Sequence, residues 1–211
     1  MLNNLNIKCT LCGCAEVELQ DYKIRNITDD SCKMYKCKNC ETHFMYPLPS
    51  QDLSEYYDGT FREEVHTADY YDYTELDKVF NNFLGEAKLR TERVKNDLSA
   101  NDKILEIGSS VGYFTAAISA YVKDVYATEW DSKARAYIKD RLTKYNIHVA
   151  KNPEDFETKF DKIFMFHVLE HIEKPIDFLK NLKQLLNENG KIYIEVPNVD
   201  DVMLKTFRCR P

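Results

Sequence analysis

From Glu75 to Leu98 the apolar positions Leu76, Val79, Phe80, Phe83, Leu84, Ala87, Val94 and Leu98 recur at intervals of three and four, which predicts an amphipathic helix. Beyond it, short apolar runs of strand length alternate with longer stretches of helical period. The strand-like runs are "KILEIG", "DVYATE", "IHVA", "FDKIFMFHV" and "GKIYIEV", and the helical stretches cover 112–121, 131–144 and 175–187. Strands separated by helix-length crossovers predict an α/β fold, a parallel sheet covered by helices on both faces. Ligands of such sheets bind beyond the carboxyl ends of the strands.

At that end of the first strand lies "KILEIGSSVGYF", residues 103–114. A dinucleotide loop of the form G-x-G-x-x-G needs its second glycine for close approach of a pyrophosphate and its third for helix packing. Here the three positions are Gly108, Ser110 and Tyr113, so two of the three steric requirements fail. The loop instead offers Glu106, Gly108 and Gly112 in an E-x-G-x-x-x-G frame. A carboxylate there would attract a cation and repel a diphosphate, which points to a ligand positively charged near the loop and away from a nicotinamide dinucleotide.

Charge changes the list of partners. The net charge is −6, but residues 51–75 hold one basic residue against eight acidic ones, whereas 1–50 and 76–211 are close to balanced. No segment carries the basic field that non-specific nucleic-acid binding requires, so no nucleic-acid partner is expected. No run approaches the ~18 apolar residues of a membrane span, and the first residues lack the pattern of a secretory leader, so no membrane partner and a cytoplasmic location are expected.

Six of the seven cysteines fall within residues 9–40. Cys9-x2-Cys12 and Cys37-x2-Cys40 have the spacing of a tetrathiolate zinc site, in which each pair forms a tight knuckle and four soft thiolates complete a tetrahedron. A redox C-x-x-C accounts for one pair but not for both. With four thiolates and no open position, the Zn2+ is expected to be structural, holding together a segment too short to build its own core. Cys14, Cys32 and His43 lie nearby without fitting the spacing. The predicted organisation is a zinc-binding ribbon at 1–48, a tyrosine-rich acidic linker with short helical pieces at 49–75, and the α/β domain at 76–211. The linker tyrosines, as a group beside a pocket, could line a lid.

The loop resembles motif I of the class I S-adenosylmethionine-dependent methyltransferases, E/D-x-G-x-G-x-G, with Ser110 in place of the middle glycine. The resemblance implies a Rossmann-like parallel sheet of order 3-2-1-4-5 and S-adenosylmethionine as cofactor. Glu106 would serve the methionine moiety through its ammonium group, and Gly108, Ser109 and Gly112 would let the backbone pass close to the donor. Glu129, at the end of the second strand, would hold the ribose hydroxyls, with Trp130 against the adenine. "FMFHVLEHIEKP" is similar to a segment of methyltransferases that act on small molecules, including a group of sugar C-methyltransferases that carry an N-terminal four-cysteine zinc domain. It would place His167 near the transferring methyl, among the donor-binding residues and as catalytic base, and Glu170 and His171 at the acceptor.

The family pattern continues after the fifth strand with a helix and an antiparallel hairpin, for which the residues after Pro197 leave no room. The terminal hairpin is therefore expected to be missing, and self-association could cover the exposed edge of the fifth strand. The expected function is methyl transfer from S-adenosylmethionine to a small-molecule acceptor, a sugar or sugar nucleotide. The alternative is a non-catalytic zinc-containing binding or assembly module that retains the fold.

Overall fold

Residues 7–21, 32–48, 53–58 and 75–199 are described by the computed structural model. They fall into two units: Met1–Ser50 with Glu170–Lys180 and Val196–Pro211, and Gln51–Leu169 with Asn181–Glu195.

In the first unit, β1 (Val17–Gln20), β2 (Lys33–Cys37) and β3 (His43–Tyr46) form an antiparallel sheet in that order. The register Val17↔Cys37 and Lys36↔His43 brings the start of β1 and the start of β3 to the same end of β2, beside the second cysteine pair. The apolar content of this sheet is small: Cys9, Cys37 and Phe44 are buried, with Ile7, Val17, Tyr35 and Tyr46 around them. So few side chains do not stabilise a fold of this size alone.

The second unit begins with α1 (Leu53–Asp58), the one helical piece of the expected linker that the described residues include; the lid reading for Tyr70, Tyr71 and Tyr73 lies outside them. The predicted amphipathic helix is α2 (Leu76–Val94), continued by a 3-10 turn over Lys95–Asp97. Then follow β4 (Lys103–Ile107), α3 (Tyr113–Ile118), β5 (Asp124–Thr128), α4 (Ser132–Arg141), β6 (Ile147–Ala150) and β7 (Phe160–Phe166), then α5 (Pro175–Gln184), whose residues are divided between the two units, and β8 (Leu186–Glu195). The five strands are parallel in the order β6-β5-β4-β7-β8, which is the expected 3-2-1-4-5.

Burial explains why the central strands read as continuous apolar runs. Ile104, Leu105, Val125, Ile163, Phe164 and Met165 are all fully buried, as strands covered on both faces must be. On one face Ala87 of α2 and Phe114 and Ile118 of α3 close over Ile104, Val125 and Phe164. Each large side chain buried there contributes about 1.5–3 kcal/mol.

Strand β8 begins four residues earlier than its apolar pattern suggests. Leu186 pairs with Phe160 and Lys191 with Lys162, so a bulge takes up the surplus between them, where Asn189 has a φ of 61°. Among the described residues no helix is long and apolar enough to cross a membrane.

Candidate functional site

The loop after β4 is built on two left-handed glycines. Gly108 (φ 71°) lies so close to the segment after β7 that an added Cβ would stand 2.6 Å from Val168 Cγ2. Gly112 (φ 78°) caps α3, and a Cβ there would stand 2.9 Å from Leu142 Cδ1 and 3.0 Å from Ile138 Cγ1. Both positions therefore need glycine twice over, for backbone angle and for space. Ser110, at the family's middle glycine, also adopts a left-handed φ of 50°. The amides of Gly108 and Ser109 donate to the Thr128 carbonyl at 2.9 and 3.0 Å, tying the loop to the end of β5. Ser109 is 1% exposed, and its Oγ has no hydrogen-bond partner among the described residues.

Glu129, the residue after β5, faces this loop. Its Oε2 accepts the Ser110 amide at 2.7 Å and its Oε1 accepts the Asp131 amide at 2.9 Å. Asp131 in turn caps α4 through the Ala134 amide at 2.9 Å. A carboxylate with its two oxygens directed by backbone, beside a glycine loop at the adjoining ends of two parallel strands, is an acceptor of the kind that the hydroxyls of a vicinal diol donate to. Next to it the Trp130 ring lies 6.1 Å from that of Tyr57, and the Ser132 amide donates to Asp58 Oδ1 at 2.7 Å, so α1 is fastened to this end of the sheet. Trp130 thus has the Tyr57 ring as an aromatic neighbour; Tyr57 and Asp58 were not singled out in the sequence.

Glu106 departs from the expectation of a carboxylate open to a cation. It is 2% exposed, and the Thr115 hydroxyl of α3 donates to its Oε2 at 2.5 Å. Burial pushes its carboxyl up to about 8, with the Thr115 bond and the charge of Arg90 acting in the opposite direction.

His167 follows β7 with a left-handed φ of 56°, and its amide donates to the Glu195 carbonyl at 2.9 Å. Its imidazole is half-exposed, with Nε2 3.3 Å from Glu195 Oε1. Glu195 is gripped from the other side by Arg90 of α2, Nη2 to Oε1 at 2.5 Å and Nε to Oε2 at 3.3 Å. Arg90 is 6% exposed, pairs with Glu86 at 2.7 Å and stacks over the Phe166 ring at 4.5 Å. Sequence reasoning missed Arg90 and Glu195. A signal for Arg90 existed: it and Thr91 occupy the buried stripe between Ala87 and Val94 where an apolar residue was due. Glu170 and His171 form a 3-10 turn with Leu169, His171 Nε2 standing 4.0 Å from Glu170 Oε1, and they group with the other unit. A surface hollow of about 450 Å3 lined by Asp77, Tyr137 and Arg141, among others, includes none of these site residues.

In the ribbon the Sγ atoms of Cys9, Cys12, Cys37 and Cys40 all lie within 4.8 Å of one another, with Cys9–Cys40 at 3.6 Å and Cys12–Cys37 at 3.5 Å. Four sulfurs about 2.3 Å from a tetrahedral zinc would be about 3.8 Å apart, so the set fits that ion. The two knuckles repeat one geometry. The amide of Gly13 returns to the Cys9 carbonyl at 2.9 Å and that of Glu41 to the Cys37 carbonyl at 3.0 Å, and both of these residues are left-handed. Asn39 Nδ2 lies 3.6 Å from Cys12 Sγ, and Thr42 Oγ1 3.3 Å from Cys40 Sγ. Cys14 and Cys32 are outside the cluster.

Residues 73–209 match a family described as "Methyltransferase domain". Among curated proteins, the chain is similar to a tRNA U34 carboxymethyltransferase of Campylobacter hominis, 28% identical over 46% of this chain and 37% of that protein. It is also similar to a protein-L-isoaspartate O-methyltransferase of Vibrio campbellii, 32% identical over 53% of this chain and 54% of that one. The chain thus spans between about a third and a half of the length of these relatives. The solved structure of DhpI in complex with SAH superposes with a TM-score of 0.51 at 21% identity, covering 70% of this chain and 71% of that one, a likeness of fold. With a family match that runs through the whole parallel sheet, the chain belongs to the methyltransferase-domain family.

Proposed function

We propose that this protein transfers the methyl group of S-adenosylmethionine to a small-molecule acceptor, a sugar or sugar nucleotide, in the cytoplasm. The observation that carries the donor half is the Glu129 carboxylate directed by the Ser110 and Asp131 amides beside the glycine loop, in a chain of the methyltransferase-domain family. Glu129 holds the ribose hydroxyls, Trp130 takes the adenine face, Gly108, Ser109 and Gly112 admit the donor to the backbone, and Glu106 supports the methionine end. When bound, the donor supplies an activated methyl whose bonding pair leaves with sulfur, giving S-adenosylhomocysteine. His167 takes the proton from the acceptor hydroxyl or enolisable carbon as that atom's electron pair bonds to the methyl carbon.

The small-acceptor reading is supported by the four-cysteine cluster ahead of the methyltransferase domain and by "HVLEHIEKP", the combination shared with the sugar C-methyltransferases. In it Glu170 and His171 contact the acceptor, residues 1–48 are a ribbon built on structural Zn2+, 49–75 a linker and 76–211 the catalytic domain. Strand β8 pairs with β7 alone among the described strands, and a second copy covering that edge completes the proposal; a strictly monomeric species by light scattering would remove this last element.

The test has two stages. Calorimetric titration of the full chain with S-adenosylhomocysteine should show saturable binding that Glu129→Ala weakens. Turnover is then sought with sugar nucleotides, with tRNA and with a peptide. Transfer to a sugar nucleotide supports the proposal, transfer to tRNA or peptide replaces its acceptor, and donor binding without turnover on any of them favours the assembly-module reading.

A further inference from the structure

The turn from β5 into α4 carries Glu129 and Trp130, the two residues proposed above to hold the nucleoside of the donor, and its backbone is tied from several directions. Arg135, in the first turn of α4, donates from Nη1 to the Glu129 and Trp130 carbonyls at 2.7 and 2.5 Å. Glu129 takes the Asp131 amide, and Asp131 takes the Ala134 amide. Those bonds are local. The Ser132 amide differs, because its acceptor is Asp58 Oδ1 at 2.7 Å, 74 residues earlier in the chain. Asp58 closes α1, so that helix is fastened by a carboxylate at the positive end of α4. The Ser132 side chain and amide, with the charges of Arg135 and Lys151, hold the Asp58 carboxyl below its ordinary range, so the acceptor is ionised at neutral pH.

The residue before Asp58 makes a second contact with the same turn. The Tyr57 ring lies 6.1 Å from the Trp130 ring at a tilt of 52°, and the Tyr56 ring packs edge-on against Tyr57 at 5.4 Å. An indole already held by a neighbouring ring loses less freedom when it meets a purine than one that is loose. Resting on the reading of Glu129 and Trp130 as the nucleoside site, we propose that α1 is a strap that walls the nucleoside end of the donor pocket, with Asp58 as its latch on α4 and Tyr57 as the positioning residue that holds Trp130. Both residues precede the region 73–209 that matches the methyltransferase domain, so α1 is a working part of the donor site contributed from outside that domain.

Trp130 is the single tryptophan of the sequence, so its fluorescence reports on this turn without a label. The full, zinc-loaded chain is quenched with acrylamide and titrated with S-adenosylhomocysteine and with 5′-deoxy-5′-methylthioadenosine, which keeps the nucleoside and lacks the amino acid. In Asp58→Ala and in Tyr57→Ala, acrylamide should quench Trp130 more strongly. Kd should rise for both ligands by a common factor of about three- to tenfold, the loss expected of one helix-cap bond or one aromatic pair. Asp58→Asn keeps the side-chain length and an acceptor oxygen without the charge, so it should fall between native and Asp58→Ala, and it carries the test should circular dichroism show that Asp58→Ala has lost its fold. Unchanged affinity in the folded variants overturns the proposal, as does a loss confined to S-adenosylhomocysteine. Tighter binding in Tyr57→Ala overturns it too, since the Tyr57 ring would then stand in the purine's place. A native chain that binds neither ligand removes the donor-site reading and the strap with it, an outcome set apart because it precedes any substitution.

Discussion

Glu129 Oε2 accepts the Ser110 amide at 2.7 Å, so the acid after β5 and the loop after β4 are joined directly. The contact aims a carboxylate that was expected to serve a ribose and fixes the loop that was expected to admit the donor. Replacing Glu129 with alanine removes a charged acceptor and frees two backbone donors. We expect S-adenosylhomocysteine affinity to fall about ten- to hundredfold, corresponding to about 1.5–3 kcal/mol for hydrogen bonds to a charged group. Calorimetry reads the change directly, and an unaltered Kd would mean that the donor does not use this acid.

The glycine loop can be tested without any ligand. Ser110 holds a left-handed φ that costs a residue with a Cβ about 1–2 kcal/mol, while glycine costs about 0.5–1 kcal/mol in extra chain entropy. Ser110→Gly should therefore leave stability level or raise it by up to about 1 kcal/mol. Gly112→Ala should do the opposite, losing about 2 kcal/mol or more, because strain is joined by a Cβ 2.9 Å from Leu142 Cδ1. Urea unfolding of the two variants decides it; equal effects of one sign would refute the account of the loop.

Glu106 gives stability a pH dependence whose sign runs against that of a paired carboxylate. Its folded-state pKa is raised to about 8, so the folded protein holds this proton more tightly than the unfolded chain does. The resulting penalty is absent below about pH 4.5, grows as pH rises through the interval to about 8 and then levels, at about 5 kcal/mol in the limit. Glu106→Gln, which still accepts from Thr115, should flatten that portion of the curve and be the more stable form at alkaline pH. Parallel slopes for the two proteins between about pH 5 and 8 would show that Glu106 ionises normally.

Zinc should be bound at one ion per chain, measured by elemental analysis after gel filtration. Cys9→Ser and Cys37→Ser should abolish it, and Cys14→Ser, outside the cluster, should leave it in place. Removal of the ion by a chelator should unfold the ribbon, whose buried apolar side chains are too few to hold three strands together. Full zinc content in Cys37→Ser would exclude the four-thiolate site.

Much of this protein could be read along the chain. Spacing alone separates the 3.6-residue stripe of α2 from the apolar runs of β4, β5 and β7, because helices and doubly covered strands impose different periods on whatever lines the core. The parallel sheet followed from that alternation and its strand order from the family resemblance of the glycine loop, and the two cysteine pairs marked the cluster because a knuckle is a local object closed within five residues. Glycines 108 and 112 were legible for the same reason.

What the chain could not show is which distant side chains meet. Arg90 and Glu195 are 105 residues apart and form an ion pair only because α2 packs over the sheet where β8 ends. Glu106 looked in sequence like an acid facing a ligand; its burial beneath Thr115 is decided by how α3 sits on β4. The sequence by itself determined the elements, their alternation along the chain and the cysteine cluster, since each follows from local period or spacing. Tertiary structure decided the burial of Glu106 and the proximity of His167 to Glu195, since a buried environment and long-range contacts exist only once the sheet has formed.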